Sequence, residues 1–270
     1  MSAQISTKRV TAADLLKMKR QDERIPVLTA YDASFAAVCD AAGIPAIIVG
    51  DSLGMVIQGH DSTLPVQLGD VAYHVAAVKR GCGRPLIIAD MPFGTFQESK
   101  ELAYRNAVQL MAAGAQMVKV EGGFEVLEAT RFLVDRGIPV CGHVGLTPQH
   151  VNVLGGFKVQ GRDPAARERL IEESVALAKA GAALLVLEAM PEEVGTAITQ
   201  AIEIPTIGIG AGRHCDGQVL VLQDLLGISA GKPAKFVRNF MLGAASIQAA
   251  FEAFGQAVRD GSYPAPEHCY

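Results

Sequence analysis

The chain has 270 residues, of which 50% are hydrophobic and 19% charged, so it can bury a large core, and α/β barrels of this length commonly form one domain. Its formal charge of −4 is small and its Lys and Arg residues are scattered, which argues against nucleic acid and anionic membranes as partners. A small-molecule partner fits this composition better.

The N-terminal segment, residues 1–20, lacks the apolar centre of a signal peptide, and no apolar run approaches the length needed to cross a bilayer. The five cysteines are odd in number and widely spaced, so the sequence contains neither a disulfide framework nor a C-x-x-C motif. We therefore expect a cytoplasmic protein with reduced thiols.

A leading helical pattern, "TAADLLKMK", comes before short apolar runs that alternate with helical patterns throughout the chain. The apolar runs are continuous, which is typical of parallel strands covered on both faces. Several helical patterns end on glycine, as expected at a helix C-cap. The predicted strands are "IPVLTAYD", "IPAIIVGD", "RPLIIAD", "AQMVKVE", "IPVCGHVG", "ALLVLE" and "IPTIGIGAG". The predicted helices are "SFAAVCDAAG", "QLGDVAYHVAAVKRG", "SKELAYRNAVQLMAAGA", "FEVLEATRFLVDRG", "ARERLIEESVALAKAGA" and "PEEVGTAITQAI".

An eighth strand is predicted at "AKFVRN", near residue 235, after a possible helix "QVLVLQDLLG". Eight parallel strands with crossover helices indicate an α/β protein, a (β/α)8 TIM barrel. We expect it to form a single domain over residues 1–270, with the leading helix capping its bottom face and a short C-terminal tail. A doubly wound open sheet is the alternative, but the first strand lacks the G-x-G-x-x-G turn of a dinucleotide-binding fold.

Four of the predicted strands end on a carboxylate, at Asp51, Asp90, Glu121 and Glu188. A single Asp after a strand is most often a turn former or a helix cap. In a barrel, however, the C-terminal strand ends meet at one face, so all four side chains could surround one pocket. Clustered carboxylates need protons, basic residues or a cation to offset their repulsion, and a hard divalent ion such as Mg²⁺ is the simplest solution.

Asp51, Asp90 and Glu121 follow the second, third and fourth strands and are the candidate metal ligands, directly or through water. Lys119 lies two residues before Glu121, so both side chains point to the same side of the strand. Lys119 can form a buried ion pair or meet an anionic substrate. Glu188 has apolar neighbours and is the candidate for proton transfer, with helix capping as the alternative.

Two further candidates lie on later strands. His143, at the end of the fifth strand, could orient a substrate, although a lone His beside glycines is at least as often a structural hydrogen-bond donor. The segment "GIGAGRHCDG" could cradle a phosphate through backbone N–H groups, and a tight turn explains it equally well.

Together these stretches resemble the ketopantoate hydroxymethyltransferases of pantothenate synthesis. The resemblance runs from about residue 8 to the C-terminal "YPAPEH" without a visible gap. Its most specific motifs are "TAYDASFA", "VGDSLGMVIQGHDSTLPV", "ADMPF", "VKVEGG", "CGHVGLTPQ", "GGFKVQGR", "LLVLEAMP" and "IGIGAG…CDGQVLVLQDLLGI".

The resemblance implies a barrel of the phosphoenolpyruvate/pyruvate superfamily and Mg²⁺-dependent transfer of a one-carbon unit from 5,10-methylenetetrahydrofolate to 3-methyl-2-oxobutanoate, giving 2-dehydropantoate. It also implies large homo-oligomers, commonly decamers. The implied site residues are Asp51, Asp90 and Glu121 for the metal, Ser52 and Lys119 for the keto acid, and Glu188 as the base.

The chemistry suits these residues independently of the resemblance. Loss of a proton from the carbon beside a ketone leaves an enolate, whose charge a chelated metal would stabilise. Glu188, expected on the far side of the pocket from the metal ligands, can take that proton. Two alternatives stay open: a metal-dependent lyase that splits a 2-oxo or 2-hydroxy acid on the same barrel, and a non-catalytic barrel that only binds a metabolite.

Overall fold

The structure, a computed structural model, describes residues 8–229 and 231–270. The expectation that the N-terminal segment holds no signal peptide falls in part on residues 1–7, which lie outside the described residues. Within the described ranges, no helix combines the length and the hydropathy needed to cross a membrane. All five cysteines are buried and unbonded.

In the described part of the chain, the core of the fold is a closed barrel of parallel strands that follow one another in chain order. The strands are β1 (Ile25–Thr29), β2 (Ala46–Val49), β3 (Leu86–Asp90), β4 (Met117–Glu121), β5 (Val140–Gly145), β6 (Leu184–Glu188), β7 (Thr206–Ile209) and β8 (Gly217–Leu220). Strand β1 pairs with both β2 and β8, which closes the barrel. The predicted (β/α)8 barrel is therefore confirmed, and the open sheet is excluded.

Helices pack around this barrel. They are α1 (Ala12–Arg20), α2 (Ala33–Ala41), α3 (Leu53–Val56), α4 (Leu68–Gly81), α5 (Lys100–Ala113), α6 (Leu127–Val134), α7 (Val151–Leu154), α8 (Pro164–Lys179), α9 (Glu192–Ala201), α10 (Leu222–Leu226) and α11 (Ile247–Arg259). Helix α11 was not predicted from the sequence. It begins where the Ser246 hydroxyl accepts a hydrogen bond from the Ala249 N–H at 3.1 Å, and it buries Phe251 and Phe254 completely.

Helix α1 lies across the N-terminal ends of the last strands. Its Lys19 Nζ is 3.0 Å from Asp216 Oδ2, next to the start of β8. The same ammonium donates to the carbonyl oxygens of Ile202 and Ile204, just before β7, at 3.0 Å each. Leu15 on α1 is fully buried. The polar and apolar contacts together hold the helix against the bottom of the barrel.

The predicted position of the eighth strand is wrong. Residues 234–239 form turns and irregular backbone, whereas β8 overlaps the start of the stretch predicted as a helix, and only the later part of that stretch forms a helix, α10. Strand β8 approaches β1 closely because Gly217 has no side chain: a Cβ there would lie 2.2 Å from the Ile25 carbonyl oxygen. A short apolar run does not by itself distinguish strand from helix, and Lys235 and Arg238 do not suit a strand covered on both faces.

The alternation of strand and helix also fails between β7 and β8, where residues 210–216 form turns. Gly210 and Gly212 adopt positive φ angles of 67° and 89° in this connection. A Cβ on Gly210 would lie 2.5 Å from Phe236 Cδ1, and one on Gly212 would lie 2.5 Å from Glu192 Cγ. Of the two interpretations of "GIGAGRHCDG", the tight turn therefore accounts for the geometry, since neighbouring side chains fill the space an anion would need.

The strand register brings functional side chains together at the C-terminal ends of neighbouring strands. Asp90 of β3 pairs with Lys119 of β4, and Glu121 of β4 pairs with His143 of β5. Because side chains alternate along a strand, Lys119 and Glu121 face the same side. The barrel thus assembles one polar cluster from residues far apart in sequence.

Candidate functional site

The C-terminal ends of the strands surround a cavity of about 430 Å³. Side chains from the loops after the strands complete its walls, as is usual for the functional face of a (β/α)8 barrel. Every candidate site residue named from the sequence lines this cavity: Asp51, Ser52, Asp90, Lys119, Glu121, His143 and Glu188.

Three carboxylates form the deepest part of the cluster. Asp51, Asp90 and Glu121 each offer an oxygen atom, and these atoms lie within 4.8 Å of one another. All three residues are at most 3% exposed. Burial, together with the charges of Glu121 and Asp90, raises the pKa of Asp51 well above its usual value. Oxygen atoms in this arrangement could hold a metal ion, because hard divalent cations prefer carboxylate ligands.

One feature of Asp90 also fits a cation site. Its Oδ1 atom is buried and has no hydrogen-bond partner among the described residues. Its Oδ2 atom accepts from the Asp51 backbone N–H at 3.1 Å and lies 2.9 Å from Lys119 Nζ. A buried acceptor without a partner is costly in free energy, so an atom of this kind in a native site calls for a ligand.

Lys119 supplies a positive charge inside the cluster. Its Nζ is 2.9 Å from Asp90 Oδ2 and 3.3 Å from Glu121 Oε1, and the residue is only 5% exposed. Burial alone would lower the pKa of Lys119, but the neighbouring carboxylates outweigh burial and raise it. Lys119 is therefore charged. Lys119 pairs with Asp90 and Glu121, whereas Asp51 has no ion pair with a basic residue among the described residues.

His143 lies between two carboxylates. Its Nδ1 is 3.1 Å from Glu121 Oε1, and its Nε2 is 3.2 Å from Glu188 Oε2. The second contact has the distance of an ion pair but not the direction of a hydrogen bond. Burial and the Lys119 charge would lower the pKa of His143, but Glu121 and Glu188 outweigh them and raise it to about 9.

The same contacts shape the environment of Glu121. Burial would raise the pKa of its carboxyl, but Lys119 and His143 outweigh burial and lower it to about 2. Glu121 is therefore ionised at neutral pH. Its Oε2 also accepts a hydrogen bond from the Gln149 backbone N–H at 3.1 Å.

Glu188 does not lie in the apolar surroundings expected from its sequence neighbours. Its side chain is 16% exposed and faces the cavity beside His143, whereas Leu187 and Met190 are fully buried. Only His143 separates it from Glu121, so it is also closer to the metal-ligand candidates than expected. Ala189 follows with φ of 45°, a conformation that costs free energy for a residue with a Cβ and that often marks functional sites.

Ser52 lies at the cavity wall directly after Asp51. Its hydroxyl is 2.8 Å from the Tyr31 hydroxyl, which fixes its orientation. Gly50 permits this arrangement, because a Cβ there would lie 2.8 Å from Ser52 Oγ and 3.4 Å from Asp90 Oδ2. No role was predicted for Tyr31 from the sequence, although it lies in the motif "TAYD".

Gln149 is a further site residue that sequence reasoning missed. Its side-chain Nε2 donates to Asp51 Oδ2 at 2.8 Å and to the Met91 carbonyl oxygen at 3.0 Å. With its backbone N–H on Glu121, it ties two of the three carboxylates to the turn after β5. Nothing in the local sequence predicts that a glutamine in a turn binds these carboxylates. The only available signal was that Gln149 ends the motif "CGHVGLTPQ".

The chain matches a family described as "Ketopantoate hydroxymethyltransferase" over residues 9–266. It is 59% identical to the "3-methyl-2-oxobutanoate hydroxymethyltransferase" of Dechloromonas aromatica (strain RCB), covering 100% of this chain and 99% of that protein.

Two solved structures are similar in fold. One is a phosphoenolpyruvate phosphomutase from Streptomyces platensis subsp. rosaceus, with a TM-score of 0.60, 15% identity, and coverage of 95% of this chain and 92% of that chain. The other is 2,3-dimethylmalate lyase, described as a PEP mutase/isocitrate lyase superfamily member, with a TM-score of 0.58, 16% identity and 79% coverage of each chain. These likenesses show the fold alone.

Proposed function

The chain belongs to the ketopantoate hydroxymethyltransferase family, and we propose that it transfers a hydroxymethyl group from 5,10-methylenetetrahydrofolate to 3-methyl-2-oxobutanoate. The products are 2-dehydropantoate, a precursor in pantothenate biosynthesis, and tetrahydrofolate, and one water is consumed. The observation that carries the proposal is the juxtaposition in one cavity of three buried carboxylates, a charged Lys119, and Glu188 as a base.

We propose that Asp51, Asp90 and Glu121 hold Mg²⁺, directly or through water. Their hard oxygen donors, the close approach of these oxygens to one another and the unpartnered Asp90 Oδ1 support this assignment. When bound, the ion would stabilise the negative charge that develops on the keto oxygen of the substrate. Gln149 and Lys119 hold the carboxylates in place before the ion arrives.

Ser52, Lys119 and His143 are the proposed contacts of the keto acid, beside Asp51 and Asp90. Lys119 offers a buried positive charge, which attracts the substrate carboxylate more strongly than an exposed lysine would. The Ser52 hydroxyl, held by Tyr31, offers a hydrogen bond from the cavity wall. These groups act on the ground state of the substrate and so contribute mainly to its binding.

Glu188 is the proposed general base that removes the proton from C3 of the keto acid. It faces the cavity, and His143 holds it from one side at 3.2 Å. His143 itself is a poor candidate for the base: with a pKa of about 9 it already carries a proton at neutral pH. The enolate then forms a bond from C3 to the methylene carbon that the folate carries. The bonds from that carbon to the folate nitrogens break, water supplies the hydroxyl group of the product, and the nitrogens take up the protons, which leaves tetrahydrofolate.

A turnover assay tests the proposal. The purified protein with Mg²⁺, keto acid and 5,10-methylenetetrahydrofolate should form 2-dehydropantoate, and omission of either the folate or the metal should abolish product formation. Cleavage of a 2-oxo or 2-hydroxy acid without folate would support the lyase alternative instead. Absence of any turnover with intact ligand binding would leave a metabolite-binding barrel.

The assembly and location of the protein rest on the resemblance. We propose a single-domain chain over residues 1–270 that forms a homo-oligomer, commonly a decamer in this family, in the cytoplasm.

A further inference from the structure

The cavity has a second half that the keto-acid chemistry does not use. The polar cluster occupies the side formed by the ends of β2 to β6. The opposite wall comes from the region of β7 and β8 and the segment that follows. It is largely apolar, with Ile209, Val219, Val221 and Phe236, and also includes Lys232 and one carboxylate. A cavity of about 430 Å³ is in the size range of sites for drug-sized ligands, so a small keto acid leaves much of it free.

One carboxylate lies on this second half of the cavity. Asp224, on α10 just after β8, is half-buried and lines the cavity. Its Oδ1 accepts a hydrogen bond from the Ser229 hydroxyl at 2.5 Å, and its Oδ2 has no hydrogen-bond or ion-pair partner among the described residues. Asp224 is not part of the group of carboxylates that could hold a metal. Burial raises the pKa of Asp224, and the hydrogen bond from Ser229 offsets this effect only in part.

A ligand that fits this half needs a flat, largely apolar body and adjacent N–H donors on one edge. Two parallel N–H donors match a carboxylate in bidentate geometry. The 2-amino group and the ring N3–H of a 2-amino-4-oxo pterin form such an edge, and Phe236 provides an aromatic wall, 8% exposed, for the ring system.

We propose that Asp224 is the recognition residue for the pterin ring of the folate co-substrate. This inference rests on the proposed function, since it assigns the second substrate of the same reaction. The keto acid occupies the polar half against Lys119, and the pterin occupies the apolar half with its donor edge on Asp224. The carbon to be transferred then lies between the two, facing C3 of the keto acid.

The test compares three variants in two assays. Asp224→Asn keeps the shape of the side chain but replaces one acceptor oxygen with an amide donor. Ser229→Ala removes the hydroxyl that holds Asp224 but keeps the carboxylate, and it controls for loosening of the segment. Asp260→Asn removes an exposed carboxylate that does not line the cavity, and it controls for the change in net charge.

The first assay measures kcat/KM for 5,10-methylenetetrahydrofolate with saturating keto acid and Mg²⁺. The second measures deuterium incorporation into C3 of the keto acid in D₂O without folate, a half-reaction that does not involve the pterin. Asp224→Asn should lower kcat/KM for the folate about 10- to 100-fold, the effect of losing hydrogen bonds to a charged group, and leave the deuterium exchange unchanged. Ser229→Ala, which keeps the carboxylate, should lose less folate kcat/KM than Asp224→Asn, and Asp260→Asn should retain the wild-type value.

Inhibition by fragments identifies the part of the folate that Asp224 meets. In Asp224→Asn, 6-methyltetrahydropterin should lose affinity, whereas p-aminobenzoylglutamate, which lacks the pterin, should bind as in the wild type. An unchanged folate kcat/KM in Asp224→Asn, an equal loss in Ser229→Ala, or an equal loss of both fragments would each overturn the assignment. Failure of the proposed function would look different, because the wild type itself would then show neither exchange nor turnover.

Discussion

Replacing Glu188 with glutamine isolates the proton-transfer step. The amide side chain keeps the shape and hydrogen-bonding capacity of the carboxylate but cannot accept the proton from C3. The fold should tolerate the change, because the side chain is 16% exposed and His143 retains its second carboxylate, Glu121, at 3.1 Å. No buried charge is left without a partner, so the variant should remain folded and should still bind Mg²⁺ and keto acid.

The expected loss is large and specific to one step. Removal of a positioned general base typically lowers the rate by ~10²–10⁴, which corresponds to about 2.7–5.5 kcal/mol of barrier. Proton removal precedes the need for folate, so deuterium exchange at C3 should fall by the same factor as full turnover. Nuclear magnetic resonance of the keto acid in D₂O measures the exchange directly, and calorimetry measures binding of the keto acid in parallel.

A matched variant separates this effect from a general response to losing a carboxylate. Glu193→Gln makes the same chemical change a few residues later, where the side chain is 59% exposed and pairs with Arg167 on the surface. Exposed pairs of this kind contribute little to stability, and the variant should exchange deuterium like the wild type. Wild-type exchange in Glu188→Gln would refute the assignment of the base and would direct attention to His143 or to a metal-activated water.

Two further outcomes are expected from the polar cluster. Keto-acid affinity measured by calorimetry should be higher with Mg²⁺ than with EDTA, and equal affinities in the two buffers would exclude chelation of the metal by the substrate. In the same assay, Asp90→Ala should lose affinity for Mg²⁺. Lys119→Ala should raise KM for the keto acid more than it lowers kcat, because the carboxylate of the bound substrate already contacts this charge in the ground state. A change in kcat alone would contradict a role of Lys119 in substrate binding.

The convergence of the carboxylates could be predicted because it depends on topology alone. Parallel strands in chain order bring their C-terminal ends to one face, so Asp51, Asp90 and Glu121 had to meet once the barrel was inferred. The eighth strand was misplaced for a local reason. The run that forms β8 is short and apolar, and the decisive feature is the close approach of Gly217 to β1, which only the tertiary structure reveals.

The environment of each site residue was less predictable than its position. The sequence neighbours of Glu188 are apolar, but they point into the core, and its actual neighbour is His143 from the adjacent strand. The side chain of Gln149 donates a hydrogen bond to Asp51, although the two residues are 98 positions apart in the sequence. Contacts of this kind depend on register and side-chain direction, which a single sequence does not encode in any local pattern.

The crowding of carboxylates around the proposed metal leads to a final prediction on stability. Without a cation, Asp51, Asp90 and Glu121 repel one another in a buried cluster, and burial raises the pKa of Asp51. Asp51→Asn removes one of these charges, and its amide oxygen can still accept the hydrogen bond from Gln149. In EDTA this variant should therefore be more stable than the wild type by about 1–3 kcal/mol, or several degrees in Tm.

Mg²⁺ should reverse that order. At a concentration of about 100 times its Kd, the ion adds roughly 2.7 kcal/mol to the wild type, whereas the variant with a weakened site gains little. Calorimetric melting with Mg²⁺ and with EDTA measures both effects, and Asp260→Asn, an exposed carboxylate, should respond to the metal like the wild type. If Asp51→Asn were destabilised equally in both buffers, the carboxylate would serve the fold rather than a metal. The expected reversal would show that this cluster of carboxylates lowers the stability of the metal-free protein and is retained because it binds the cation that the reaction needs.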